Sequence, residues 1–149
     1  MTDRIRWFAE NRVIWVEPKS KTTVESLTED NATITNIIRQ GFSTTEMPVH
    51  VIIDGSKMDS QPSPLDGRNL LTYITEPGMG YRVVAGIGNP NYHFFSKFVG
   101  TLKPGSTLIF PSVDQALMIL NRKDKTLPDL IEIYHLQKQA NRKGIIQSR

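Results

Sequence analysis

The sequence predicts a single-domain α/β fold in which helices pack on a central mixed sheet, with the elements in the order ββαβαβαβα. Short apolar runs typical of strands alternate with amphipathic segments typical of helices. Helix-capping residues stand at the starts of several of these segments. A chain of 149 residues, 38% of them hydrophobic, is long enough to form one core.

A hairpin and a long helix are predicted first. Ile5–Ala9 and Arg12–Val16 are β-prone runs, and Glu10-Asn11 between them suits a tight turn. The segment Thr22–Gln40 has helical periodicity, and Gly41 after it is predicted to be the C-terminal cap. The predicted apolar face of this helix consists of Leu27, Ile34, Ile37 and Ile38.

The central strand is predicted at Val49–Ile53, an almost continuous apolar run of the kind that is covered on both faces. A helix is predicted to begin at Ser63-Pro64-Leu65-Asp66, because serine caps, proline suits the first turn and the aspartate reaches back to the cap. Pro77–Gly80 is predicted to end this helix.

The strand–helix alternation then repeats. Tyr81–Ile87 is a predicted strand, and Asn89-Pro90 is predicted to cap a short aromatic helix over Tyr92–Val99. Thr107–Phe110 is the last predicted strand. Ser112–Gln115 has the pattern of a capping box and leads into a helix over Ala116–Leu120.

The composition changes after residue 120, which divides the chain into an α/β domain (1–120) and a basic helical extension (121–149). The extension has seven lysines and arginines against three acidic residues, a net charge of +4. Leu127–Leu136 is predicted to be helical, with Pro128 at its start and Gly144 beyond its end. The residues expected to dock a protein partner, or a second copy of the chain, are Leu130, Ile133, Tyr134, Leu136, Arg142 and Lys143.

Two alternatives stay open for this extension. It is a plain solvated helix, or it binds nucleic acid through its positive charge.

Three stretches of the chain resemble the STAS-like, or anti-sigma-factor-antagonist-like, domains and the small bacterial STAS/SEC14-type proteins. They are Pro48–Asp54, Tyr81–Pro90 and Phe110–Leu117, and the ending Thr126–Leu130 also fits. The resemblance implies a non-enzymatic, regulatory module that binds other proteins through the loop edge of its sheet. Family members that are phosphorylated carry an Asp-Ser-Ser-Gly-like loop, of which this chain keeps Asp59-Ser60 but neither the second serine nor the glycine. This departure argues against a phosphorylation switch and leaves protein binding as the expected role.

Two loops are candidate sites. Asp54, Asp59, Ser60 and Ser63 follow the central strand, where open α/β sheets bind their ligands; the alternative is that Ser63 is simply a helix cap. Glycines after the next strand would let a backbone approach an anion; the alternative is a structural turn. The residues of this second loop are Gly86, Gly88, Asn89 and Asn91.

The aromatic segment Tyr92–Val99 suggests a pocket for a lipid or another small hydrophobic ligand, with core packing as the alternative. His50, His93 and His135 are too scattered for a metal site, and the chain has no cysteine. We therefore expect no cofactor, no metal and no catalytic residues. The start of the chain lacks the pattern of a signal peptide, and no apolar run is long enough to span a bilayer, so a cytoplasmic protein is expected.

Overall fold

The computed structural model describes residues 3–19, 23–56, 76–86 and 107–142. These residues form one α/β domain with a five-stranded mixed sheet and three helices. The elements are β1 (Ile5–Ala9), β2 (Val13–Val16), α1 (Val24–Thr45), β3 (Val49–Asp54), β4 (Met79–Ala85), β5 (Thr107–Phe110), α2 (Val113–Lys123) and α3 (Leu130–Arg142). The helices predicted from Ser63 onward and over Tyr92–Val99 lie outside the described residues.

The strands lie side by side in chain order, β1-β2-β3-β4-β5. β1 pairs with β2 in antiparallel orientation, which confirms the predicted hairpin, and the other pairs are parallel. Asn11 in the hairpin turn has a φ of 63°, a conformation that asparagine tolerates better than most residues. Because β3, β4 and β5 are parallel and their last residues pair, Asp54 with Ala85 and Ala85 with Phe110, their carboxyl ends meet at one edge of the sheet.

Each face of the sheet has its own apolar core, which is why β3 is apolar along almost its whole length. One face packs against α1 through Ile34, Ile37 and Ile38. The other face packs against α2 and α3 through Ala116, Leu117, Leu120 and Leu130. On the strands, Val51 and Val84 belong to the first core, whereas Ile52 and Val83 belong to the second.

The prediction that Gly41 ends the first helix is wrong, since α1 continues to Thr45 and Glu46 is its C-cap, with a φ of 57°. Gly41 is buried inside the helix. A Cβ there would lie 2.7 Å from Cη2 of Trp7, 2.9 Å from the Asn11 carbonyl oxygen and 2.9 Å from Cγ2 of Val49. The glycine therefore allows the helix to approach the sheet closely.

The C-terminal segment packs on the sheet. The predicted boundary between residues 120 and 121 falls within α2, and the connector and the start of α3 join the second core through Leu127 and Leu130. Ser112 caps α2 as predicted, accepting a hydrogen bond from the Gln115 backbone N–H at 3.2 Å. The Asp129 carboxylate accepts one from the Glu132 N–H at 3.2 Å, so α3 begins just after Pro128.

Candidate functional site

The carboxyl edge of the sheet brings together the first residues of both predicted loops. Asp54 ends β3, and Gly86 follows β4 with a φ of 74°. A Cβ on Gly86 would lie 3.2 Å from Asp54 Oδ1 and 3.1 Å from Ser56 Cβ, so the two loops start in contact. Asp54 Oδ1 also accepts a hydrogen bond from the Ser56 N–H at 3.1 Å. The other predicted residues of these loops, Asp59, Ser60, Ser63, Gly88, Asn89 and Asn91, lie outside the described residues.

Helix α3 reaches the same edge through Tyr134. The Tyr134 ring stacks on Trp15 with centroids 5.8 Å apart, and Lys138 Nζ lies 5.1 Å from its centroid. Burial, with a smaller effect from the negative charges of Asp54 and Asp114, raises the pKa of Tyr134 above its ordinary value. The phenol therefore lies within the electrostatic reach of Asp54 and stays protonated at neutral pH. The predicted loop edge and the predicted C-terminal helix thus share one end of the domain.

The residues predicted for partner docking on α3 divide into two groups. Leu130 is fully buried, and Ile133 and Tyr134 are half-buried against the second core of the same chain. Leu136, in contrast, is 56% exposed, and Arg142 is exposed near the helix end. Lys143 lies outside the described residues. One face of α3 therefore attaches the helix to its own domain, and Leu136 lies outside that face.

A buried polar cluster that the sequence reasoning missed lies at the opposite, amino-terminal edge of the sheet. We call Arg12, His50 and Asp124 the amino-edge cluster. Asp124 Oδ2 accepts hydrogen bonds from Arg12 Nη2 at 2.7 Å and from His50 Nε2 at 2.8 Å. The Tyr81 backbone N–H donates to His50 Nδ1 at 2.9 Å. Because Nδ1 is an acceptor, His50 is the neutral tautomer that carries its proton on Nε2.

The surroundings of this cluster set its charges. Burial lowers the pKa of His50 below its ordinary value, and the hydrogen bond to Asp124 offsets this effect only in part. Burial acts to raise the pKa of Asp124, but hydrogen bonds from Thr126 and His50 outweigh it, so that the pKa lies well below the usual range. At neutral pH the cluster therefore consists of a carboxylate, a guanidinium and a neutral imidazole.

The amino-edge cluster joins distant parts of the chain. Arg12 precedes β2, His50 lies in β3, and Asp124 is the C-cap of α2. Arg12 Nε also donates to the Pro48 carbonyl oxygen at 3.1 Å. His50 is engaged at both ring nitrogens, which indicates a structural role for it. One signal pointed to this site, namely a histidine within an apolar strand, because a buried polar side chain requires a partner.

In the described part of the chain, no group of three or more His, Cys, Asp or Glu residues is placed to hold a metal ion. His93 and the aromatic residues proposed to line a hydrophobic pocket lie outside this part. The helices described are too short or too polar to cross a membrane. No family model matches the sequence, and comparison with curated proteins and with solved structures gives no match either.

Proposed function

We propose that this chain is a non-enzymatic, STAS-like regulatory module that binds a protein partner at the end of the domain where the loop edge and α3 meet. The proposal is supported by the resemblance of Pro48–Asp54, Tyr81–Pro90 and Phe110–Leu117 to those domains. A sheet whose parallel strands follow one another in chain order, with both loop starts at one edge, is consistent with it.

The observation that carries the proposal is that Leu136 is exposed, although the other large apolar residues of α3 pack on the second core. Successive residues of a helix are about 100° apart, so Leu136 points about 200° away from Tyr134, which is stacked on the core. Leu136 is 56% exposed on a helix whose opposite side packs on the core, so it costs little in the free domain and gains free energy when a partner covers it. The exposed cation of Arg142 adds a contact for an acidic group of the partner.

Affinity capture from the native source after nuclease treatment tests this proposal with point variants. Truncation is unsuitable because removal of the C-terminal segment would also remove core residues Leu127 and Leu130. Leu136→Glu places a charge on the proposed surface. Val24→Glu is the matched control, since Val24 is 46% exposed at the start of α1, where an acidic residue is favourable.

We expect proteins captured by the wild type and by Val24→Glu to be lost with Leu136→Glu, while the thermal unfolding midpoints of the three chains stay within a few degrees. Capture of the same proteins by Leu136→Glu would refute α3 as the binding surface. A wild-type chain that captures no protein would refute the module itself.

A further inference from the structure

The amino-edge cluster lies at the sheet edge opposite the proposed partner surface, and the proposed function does not use it. It contains a buried ionisable side chain whose ordinary pKa, about 6.5, is close to physiological pH. It also connects four separate parts of the chain, namely the β1–β2 turn, β3, β4 and the C-terminus of α2. A change of charge at this point would therefore act on several elements together.

The His50 ring is enclosed on several sides, which leaves it little room to turn when it gains a proton. Its side chain is 2% exposed, and its ring stacks on Tyr81 with centroids 5.7 Å apart and an interplanar angle of 18°. A Cβ on Gly80 would lie 2.3 Å from His50 Nδ1, so the ring rests directly on the backbone of β4. Nδ1 therefore keeps facing the Tyr81 N–H when the ring is protonated.

We propose that the amino-edge cluster is a pH-sensitive switch in which protonation of His50 at Nδ1 loosens the starts of β3 and β4 and the connector between α2 and α3. The proton comes from solvent and converts Nδ1 from an acceptor into a donor. Two N–H groups then face each other where one hydrogen bond stood. The positive imidazolium is attracted more strongly to Asp124 but is repelled by Arg12. The two cations lie close together because His50 and Arg12 both hydrogen-bond to Asp124 Oδ2.

Lys123 of α2 also lies close to this edge, with its Nζ 5.6 Å from the centroid of the Tyr81 ring. It adds positive charge on the β4 side of the histidine. Thr126, by donating to Asp124 Oδ1 at 3.0 Å through its N–H, ties the connector after α2 to the same carboxylate. The charged groups that act directly on His50 are thus the Asp124 carboxylate and the Arg12 guanidinium, and the Tyr81 peptide N–H faces its Nδ1.

The direction of the pH dependence follows from the lowered pKa of His50 in the folded state. In the opened state, where the ring is released from its buried site, His50 has the higher pKa and therefore takes up the proton first as the pH falls. Neutral His50 therefore stabilises the closed, folded state fully above about pH 6.5, the ordinary histidine pKa. This stabilisation is lost as the pH falls toward the lower pKa of His50 in the closed state. Since one proton is involved, the opening equilibrium rises by at most about tenfold per pH unit in this range.

Hydrogen exchange measured by mass spectrometry between pH 7.5 and 5.0, corrected for the intrinsic exchange rate, tests the switch on the full chain. Peptides that cover residues 76–86 and 113–134 report on the elements that should open. The variant is His50→Gln, and the control is His135→Gln, which removes a histidine that is 51% exposed on α3. We expect protection in these peptides to fall below pH 6.5 in the wild type and the control, and to lose this pH dependence in His50→Gln.

Protection that does not change with pH in the wild type, or that changes equally in His50→Gln, would overturn the proposal. Nitrogen NMR of the histidine rings of the wild-type chain tests it without a variant, in case His50→Gln does not fold. The expected spectrum at pH 7.5 shows His50 with a proton on Nε2 and none on Nδ1, and the ring titrates below pH 6.5. A His50 ring that is already protonated at pH 7 would equally overturn the proposal.

Discussion

Gly41→Ala is expected to destabilise the protein by about 2 kcal/mol, although alanine is the better helix former. The added Cβ would lie within 3 Å of Trp7, Asn11 and Val49. Overpacking a core costs about 1–3 kcal/mol, and we take the upper end because one contact is a backbone oxygen and another is a β-branched side chain in the central strand. Alanine recovers about 1 kcal/mol of helix propensity, which leaves a net loss of about 2 kcal/mol.

Urea denaturation followed by circular dichroism measures this loss and avoids Trp7 as a probe, since its ring is one of the contacts. Ala32→Gly on the exposed side of α1 is the control and isolates the propensity effect, with an expected loss of about 1 kcal/mol. Gly41→Asn tests whether the glycine is required for close packing or for capping the helix, because a left-handed cap tolerates asparagine and a buried helix–sheet contact does not. A Gly41→Ala chain as stable as the wild type, or a Gly41→Asn chain no worse than it, would refute the reasoning.

Three further changes have expected effects on the free energy of unfolding that urea denaturation can measure. Asp124→Asn should cost about 3 kcal/mol because it leaves the buried Arg12 guanidinium without its counter-ion. The control Asp114→Asn changes a side chain that is 61% exposed and should cost less than about 0.5 kcal/mol, and equal losses for the two variants would contradict this expectation. Thr23→Ala should cost about 1 kcal/mol by removing the N-cap of α1, and a neutral result would mean that the cap is not formed. Leu130→Ala should cost about 2–5 kcal/mol and Leu136→Ala almost nothing; a larger loss for Leu136→Ala than for Leu130→Ala would mean that the Leu136 side of α3 faces the core.

The C-terminal segment illustrates how composition and packing give different information. Its positive charge sets it apart from the rest of the sequence and predicts a separate extension. In the folded chain, Asp124 bonds to Arg12 and His50, and Leu130 is fully buried in the second core. Charge patterning reports on the solvent-facing side chains, whereas a few buried leucines determine where the helix lies.

Several elements could be predicted from the sequence because their signals are local. The hairpin, the central strand and the last strand follow from short β-prone runs. The start of α2 follows from Ser112, whose side chain caps the helix three residues ahead of Gln115. Each of these features depends on residues that are neighbours in the chain, so the sequence contains the complete signal.

The candidate surface was only partly predictable. Asp54 is predicted from its place at the carboxyl end of the central strand, and Gly86 from the glycines that follow the next strand; the structure shows that the two loops start in contact. Sequence spacing could not predict that Tyr134 of α3 stacks on Trp15 beside them, since the two rings come from opposite ends of the chain. Periodicity identified the apolar residues of α3, but it did not show which of them its own core would cover.

By itself, the sequence determined the α/β class, the strands with continuous apolar runs and the capped start of α2, because each depends on local conformational preference. The tertiary structure decided that Gly41 is a contact point within a helix, that Leu130 is core while Leu136 is surface, and that His50 and Asp124 are partners. These outcomes depend on which distant surfaces meet, and a buried group acquires its role from the neighbours that replace water around it.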